Sequence, residues 1–410
     1  MNAVGIDCAK GKSMITIRQP LGVVIVRPYE ILHTVSELEI LAESLKSLSG
    51  ETRVIMENTG VYHLPVADYL HEAGIFVSVG NAKNIRGYDR DPLRKVKTDK
   101  ADAKKIAEYG LAKWEKLRRY APEDDIRRQL QIYNRQYWHY AKIKTMHKNN
   151  LDALLEQVFP ELKTAFSSPK REDGHEKWID FTDTFWHSEC VSRLSESKFH
   201  ESFKQWCRKK GYHYRKTQAA KIYGLAAKHT AVLPKDDFTK QLIKSAVSQI
   251  ISIAENQAAL LHKMKEIAKS MPEWEAVIEM SGVGETLAAQ LIAEIGDINR
   301  FASKKSLTGF AGIDSPPNQS GTVDRQGEPV TKSGSPHLRR ALFLVMRCLI
   351  MTKPDDEVYH FILKKKAQNK KYLVYMVAGF TKFLRIYYGK VKEHLSKLNT
   401  VVSDEALSCQ

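Results

Sequence analysis

The sequence predicts a multidomain chain, an N-terminal α/β domain followed by helical and coiled-coil segments and a C-terminal helical domain. Short β-branched runs alternate with amphipathic helix patterns over residues 1–80, two long heptad seams occupy the middle, and Gly-punctuated helices fill residues 275–390. The 410 residues suffice for two or three separately cored domains, and 43% hydrophobic with 27% charged residues excludes wholesale disorder. No apolar run reaches transmembrane length, and Met1-Asn2-Ala3 is expected to open into a strand, without a signal peptide. Cys8, Cys190, Cys207, Cys348 and Cys409 are odd in number and far apart, which suits a reducing compartment, and no CxxC or Cys/His cluster suggests zinc.

The first domain is expected to start with strands Ala3–Ile6, Met14–Arg18 and Val23–Arg27, joined by turns at Gly11 and Pro20-Leu21-Gly22. Leu38, Leu41, Leu45 and Leu48 then share one face of a helix over Ser36–Leu48, with Ser36 and Glu39 spaced as a capping box. A strand at Arg53–Glu57, a helix around Val61–Glu72 and a strand at Ile75–Val79 follow. Three adjacent strands, then helix, strand, helix and strand, is the element order of an RNase H-like fold.

From Lys83 to Arg119 the chain is strongly basic. A long helix is expected from Glu123 to Phe159, stopped by Pro160. Its seam runs through Leu130, Tyr133, Tyr137, Tyr140, Lys144, His147, Leu151, Leu154 and Val158. A second seam runs through Ala246, Ile250, Ile253, Gln257, Leu260, Met264 and Ile267. The seams suit either pairing with each other or an intermolecular coiled coil, and a homo-oligomer, dimer or tetramer, is expected. Residues 165–238 between them are rich in aromatic residues and Lys and read only as helical. The segment Met280-Ser-Gly-Val-Gly-Glu-Thr-Leu287 has the pattern of a helix-hairpin-helix turn, with plain helix capping as its alternative. A polar Gly/Pro-rich loop spans Asp314–Pro336. An apolar helix at Leu338–Met351 and a basic aromatic one at Lys364–Lys390 follow, and the tail after Lys397 is expected to fray. The expected boundaries are 1–120, 121–274, 275–395 and a flexible tail at 396–410.

Four acids are candidate metal ligands. Asp7 ends the first strand in an apolar context, Glu57 ends Val54-Ile-Met-Glu57, and Asp99 and Asp102 share one face of a helix start. Two strand ends and one helix turn can converge on a point, and clustered carboxylates repel unless divalent cations neutralise them, as in two-metal phosphoryl transfer. Taken singly, each would read as a cap or turn residue.

The strings Gly5-Ile-Asp7, Glu57-Asn-Thr-Gly-Val-Tyr62 and Lys97-Thr-Asp-Lys-Ala-Asp102 resemble the DEDD transposases of bacterial insertion sequences. More narrowly they resemble the family that includes bridge-RNA-guided recombinases and pilin-gene invertases. Gly282-Val-Gly284, Phe310-Ala-Gly312, Gln319-Ser-Gly321 and Lys332-Ser-Gly-Ser-Pro-His-Leu-Arg-Arg340 match the same family, so the resemblance covers roughly 1–160 and 240–390. It implies a RuvC-like N-terminal domain with Mg2+ (or Mn2+) on Asp7, Glu57, Asp99 and Asp102, and a C-terminal transposase domain whose nucleophilic serine maps to Ser320. It further implies donor and target DNA, a structured guide RNA, and a cytoplasmic, nucleoid-associated bacterial protein.

The balance of 64 Lys+Arg against 48 Asp+Glu, a formal charge of +16, fits a polyanionic partner. Arg94, Lys95, Lys97, Lys100 and Lys104 bracket the last two acids. Arg128, Arg135, Lys142 and Lys148 stud the long helix beside Tyr133, Tyr137 and Trp138, which suit base stacking, and Arg339 and Arg340 add a third patch. Two further readings stand beside a serine recombinase: a RuvC-like metal nuclease with water as nucleophile, and a non-catalytic nucleic-acid-binding scaffold.

Overall fold

The computed structural model describes residues 1–58, 60–88, 98–167, 171, 173–314, 318–320, 323–325 and 329–408, with 318–320, 323–325 and 401–408 described by backbone alone. The chain forms two compact units, Met1–Glu123 and Asp124–Gln410.

In the first unit, strands β1 (Asn2–Ala9), β2 (Lys12–Arg18) and β3 (Val24–Leu32) form an antiparallel meander. Helix α1 (Val35–Ser47) leads to β4 (Thr52–Glu57), α2 (Leu64–Glu72) to β5 (Phe76–Gly80), and α3 (Ala82–Tyr88) and α4 (Asp99–Ala112) follow. The sheet order is β3-β2-β1-β4-β5, with β1, β4 and β5 parallel. Alternation along the strands divides the sheet into two faces. Val4, Ile6, Cys8, Val54 and Met56 pack against Leu38, Leu41 and Leu45 of α1 and Val66, Ala67 and Leu70 of α2. Ala3 and Ile55 face the other way, toward Ile85 of α3 and Ile106 and Ala107 of α4.

The expected elements are present with shifted ends. The cap of α1 is Thr34, which accepts from the Glu37 amide, rather than Ser36, because the Glu37 carboxylate turns back onto the Leu32 amide at 2.6 Å. Closest of all packing in this unit is α4 on β1. A Cβ on Gly5 would stand 2.1 Å from the Ala103 carbonyl oxygen and 2.5 Å from the Ala107 amide nitrogen. Further along, a Cβ on Gly110 would stand 2.4 Å from a methyl of Ile55.

The second unit is built on two long antiparallel helices, α5 (Asp125–Val158) and, after the insert, α10. The insert holds α6 (Lys177–Thr184), α7 (Glu189–Ser192), α8 (Glu196–Lys209) and α9 (Lys216–Lys228), and α10 spans Asp237–Lys269. The two heptad seams pack on each other inside the chain, which supplies the intramolecular partner that an intermolecular coiled coil would otherwise provide. At one end Leu151, Leu155, Ile243 and Val247 join a core with Phe181, Phe199, Phe203 and Trp206, so the aromatic residues of 165–238 make a core of their own. At the other end Leu130 and Met264 join the C-terminal core. That core is built from α11 (Trp274–Ile278), α12 (Glu285–Ile295), α13 (Lys304–Ala311), α14 (Pro336–Thr352), α15 (Glu357–Ala367) and α16 (Tyr372–Ser408), and between α13 and α14 the chain forms the hairpin of β6 (Asn318–Ser320) and β7 (Val323–Arg325).

Two expectations for this unit change. The single basic helix expected at Lys364–Lys390 is two helices, broken where Asn369 takes a φ of 54°. Helix α16 continues to Ser408 through the segment expected to fray. In the Met280–Leu287 turn, Gly282 has a φ of 77° and packs against Leu349 of α14, while Glu285 at the start of α12 pairs with Lys265 and Lys269 at 3.2 and 2.7 Å. The turn joins α11 to α12, whose cap residue Gly284 makes no side-chain hydrogen bond.

Gly5→Ala places a methyl against helix backbone that cannot swing aside. It should cost about 3 kcal/mol, read as a lowered denaturant midpoint. Gly389→Ala, where the space is open in a helix interior, should be neutral or stabilise by up to about 1 kcal/mol. Equal midpoints for the two variants would refute the close-approach argument.

Candidate active site

The same alternation that turns Gly5 toward α4 turns Asp7 toward it, two residues on. Ile55 pairs with Gly5 across the parallel ladder, so Glu57, two residues beyond Ile55, comes to the same end of the same face. The buried stripe of α4 is Ala103, Ile106, Ala107 and Gly110, and Asp99 and Asp102 continue it into the first turn. Thr98 caps this helix by accepting from the Ala101 amide at 3.2 Å, which leaves Asp99 and Asp102 uninvolved in capping. Two carboxylates in the first turn also lie where the helix dipole favours negative charge.

Asp7 senses the other three acids. Burial, then Asp102, Asp99 and Glu57, push the Asp7 carboxyl up to about 6, against a smaller lowering by Arg86. Arg86 Nη2 donates to Glu57 Oε1 at 3.0 Å, and its side chain is largely exposed. Arg86 is not among the residues that the sequence singles out; it lies six residues beyond the end of β5, in the basic stretch that opens at Lys83. Among the described residues, no three His, Cys, Asp or Glu side chains stand close enough to hold an ion in this arrangement. The donor set still fits Mg2+ or Mn2+, since it consists of hard carboxylate oxygens whose mutual repulsion a cation relieves.

Ser320 ends β6 and pairs with Val323 of β7. Its side chain lies outside the described residues. The base of its loop is tightly defined. A Cβ on Gly334 would stand 1.9 Å from the Phe310 carbonyl oxygen, and one on Gly312 would stand 2.5 Å from the Gly334 nitrogen. The Thr331 amide donates to Asp314 O, Lys332 to Gly312 O and Ser335 to Phe310 O, each at 3.0 Å. Beneath this clasp lies Glu294, 1% exposed, which accepts from Asn134 Nδ2 and Ser335 Oγ at 2.9 Å each. Of the rival hydroxyls, Ser335 is therefore occupied, and it also caps α14 through the Leu338 amide at 3.1 Å. Ser333 donates to Thr331 O at 3.3 Å, and Ser315 and Thr322 lie outside the described residues.

The expected phosphate-contacting cations divide. Lys100 and Lys104 are exposed on α4, Lys142 is exposed on α5, and Arg128 is half-buried; Arg94, Lys95 and Lys97 lie outside the described residues. Several others serve the fold. Arg339 Nη1 donates to the Ala311 and Gly334 carbonyls at 3.0 and 2.9 Å, closing the clasp. Lys148 pairs with Glu176 at 2.7 Å, and Arg135 stands 3.9 Å from Glu294. Arg340 lies 3.8 Å over the Trp138 ring, and the half-buried Tyr133 and Tyr137 pack on one side against the helical core.

Comparison with known proteins finds two family matches, the first of which runs across the boundary between the two units. A DEDD transposase model of the IS110 type matches residues 4–160, and a model described as the transposase IS116/IS110/IS902 family matches residues 275–360. The chain belongs to the IS110 family of transposases. A relative, the insertion element IS110 uncharacterized 43.6 kDa protein of Streptomyces coelicolor, is 23% identical over 264 residues, which are 64% of this IS110-family chain and 63% of the relative. The first match holds all four acids, the second holds the clasp and Ser320, and residues 161–274 belong to neither. Among the described residues no helix is long and apolar enough to cross a membrane.

Because the Asp7 carboxyl is raised, its contribution to stability is full below the unfolded value of 3.8 and is lost as pH rises through about 6. At neutral pH the ionised group therefore costs stability, about 1 kcal/mol once solvent screening is allowed for. Asp7→Asn should raise the melting temperature of the metal-free protein, and added Mg2+ or Mn2+ should stabilise the parent but not the variant. Identical melting curves with and without the ions would count against the cluster. Ser335→Ala should lose a helix cap and one partner of a buried carboxylate, about 2 kcal/mol by chemical denaturation.

Proposed function

We propose that this chain is a DNA transposase/recombinase of an insertion sequence, which cuts and rejoins strands through Ser320 with divalent cations on Asp7, Glu57, Asp99 and Asp102. What supports the reading is the placement of those four carboxylates at the ends of β1 and β4 and the start of α4, where Asp102, Asp99 and Glu57 all raise the Asp7 carboxyl. The five-stranded order, with its antiparallel meander and parallel β1-β4-β5 core, supports an RNase H-like, RuvC-like first domain. Both family matches, in order along the chain, support a serine transposase domain after it.

In the proposed reaction the Ser320 Oγ attacks a backbone phosphorus. An Oγ–P bond forms as one P–O bond of the phosphodiester breaks, the serine proton is released, and the departing strand end takes up a proton. The phosphoserine link keeps the phosphoryl group activated, so a second strand end can displace Ser320 without ATP. Bound Mg2+ or Mn2+ would supply neutralisation of charge developing on the phosphoryl oxygens. The acids hold the cation, Arg86 tempers their repulsion, and Lys100 and Lys104 hold the strand by its phosphates. Ser320 and the acids belong to different units, and in the proposed reaction they act on one phosphate, within a chain or between protomers. A dimer or tetramer acting on donor and target DNA fits this need. A structured RNA guiding target choice, as in the bridge-RNA-guided recombinases, completes the proposal.

Asp102→Asn should reduce strand cleavage by roughly 10³-fold while folding and DNA binding persist. Ser320→Ala should abolish the covalent protein–DNA adduct on denaturing gels. Cleavage without any adduct in the parent would establish water as the nucleophile, and an adduct mapped by mass spectrometry to Ser315 or Ser333 would move the role.

A further inference from the structure

Residues 161–274 lie between the two matched segments, and the carboxylate site uses none of them. There a cleft of about 680 Å³ is lined by Arg171, Lys177, Arg215 and Lys221, with Tyr212 and Gln218 between them. The cations are held mainly by neutral acceptors. Lys177, 3% exposed, donates to the His213 carbonyl and to Gln218 Oε1, each at 2.7 Å. Lys221 Nζ donates to Thr164 O at 2.6 Å, and Arg171 Nη1 to Lys210 O at 2.8 Å. Carbonyl groups orient a cation without cancelling its charge. Among the described residues, the one ion pair these four make is that of Arg171 with Asp173 at 2.7 Å.

Burial pushes the Lys177 ammonium down, its contact with Cys207 acts the other way, and Arg215 lowers it by a smaller amount. A buried charge facing another of its own sign is costly until an anion joins it. The thirteen-residue α9 also begins here; its cap residue Arg215 gives it no side-chain hydrogen bond, and Gln218 of its first turn lines the cleft. The lining favours a phosphate over a base. The Tyr212 ring is stacked on Trp206 at 5.5 Å with Arg171 5.3 Å from its centre, so it offers no open face.

We propose that this cleft seats a backbone phosphate of a nucleic-acid strand, positioning the strand without reading its bases. The exposed rim at His213, Arg215, Thr217 and Lys221 lets a strand pass rather than enclosing a small molecule. The choice of a polynucleotide rests on the transposase reading above.

The test uses the full chain and fluorescein-labelled single-stranded DNA, duplex DNA and structured RNA, titrated by anisotropy over a series of salt concentrations. Arg215→Ala/Lys221→Ala changes two exposed side chains. It should weaken binding about tenfold and lower the salt slope by about 0.7–0.9 for each phosphate that the variant no longer neutralises, with the melting temperature unchanged. Should the alanine pair melt early, Arg215→Gln/Lys221→Gln gives the same reading with the side-chain bulk kept. Unchanged affinity and slope in a folded pair would overturn the proposal and leave the transposase reading intact. Displacement of the labelled strand by millimolar inorganic phosphate or AMP would overturn it in favour of a free-anion site. A parent chain that binds no polynucleotide would overturn both readings.

Discussion

The separation between α4 and β1 is the constraint on which the carboxylate cluster depends. A helix normally rides on a sheet at side-chain distance, but Gly5 lets the backbone of Ala103 and Ala107 come to where a Cβ would otherwise stand. Because side chains alternate along a strand, the residue that lacks a side chain for packing and the residue that carries the carboxylate belong to the same face, one step apart. Moving α4 outward would withdraw Asp99 and Asp102 from Asp7 as surely as deleting them. The packing glycine is thus part of the site although it has no chemistry of its own.

Much of this was readable in the sequence because it depends on local periodicity. The succession of strands and helices in the first unit and the two long helices follow from spacings of two, three and four residues, and the four acids were picked out by their places at strand ends and a helix start. Contacts that depend on distant partners did not follow. The seam of α10 could not name α5 as its mate, since a heptad pattern specifies a face and not an address. Thr34 displaced Ser36 as a cap because the Glu37 carboxylate was committed to Leu32, and nothing within the helix pattern records that commitment. The break at Asn369 was hidden by a basic run that continues across it.

Charge was the least transferable signal. A formal +16 points to a polyanion, yet position along the chain did not separate cations that face solvent from those that brace the interior. Lys144, read as part of a seam, is buried with its ammonium on the Gly174 carbonyl at 2.9 Å, and Arg127 forms a buried pair with Glu273. Arg339 serves two main-chain carbonyls. Conversely, the insert, whose Lys content read as undifferentiated, gathers Lys177, Arg215 and Lys221 around one cleft with neutral props. What distinguishes the two kinds is the partner, whether carboxylate, carbonyl or water, and the partner is a tertiary fact.

The clasp at Gly312 and Gly334 has a bearing on how this protein varies through time. With both ends of the intervening chain fixed by main-chain hydrogen bonds and by an approach that admits no side chain, the segment is a cassette on a fixed mount. Doubling its length would add only about 0.6 kcal/mol of closure entropy, and none of that change would pass through the mount to the helices behind it. Insertions and substitutions inside the cassette are therefore insulated from folding. Lineages can remodel the reach and the rim of a serine-bearing hairpin cheaply, provided that two glycines stay where they are.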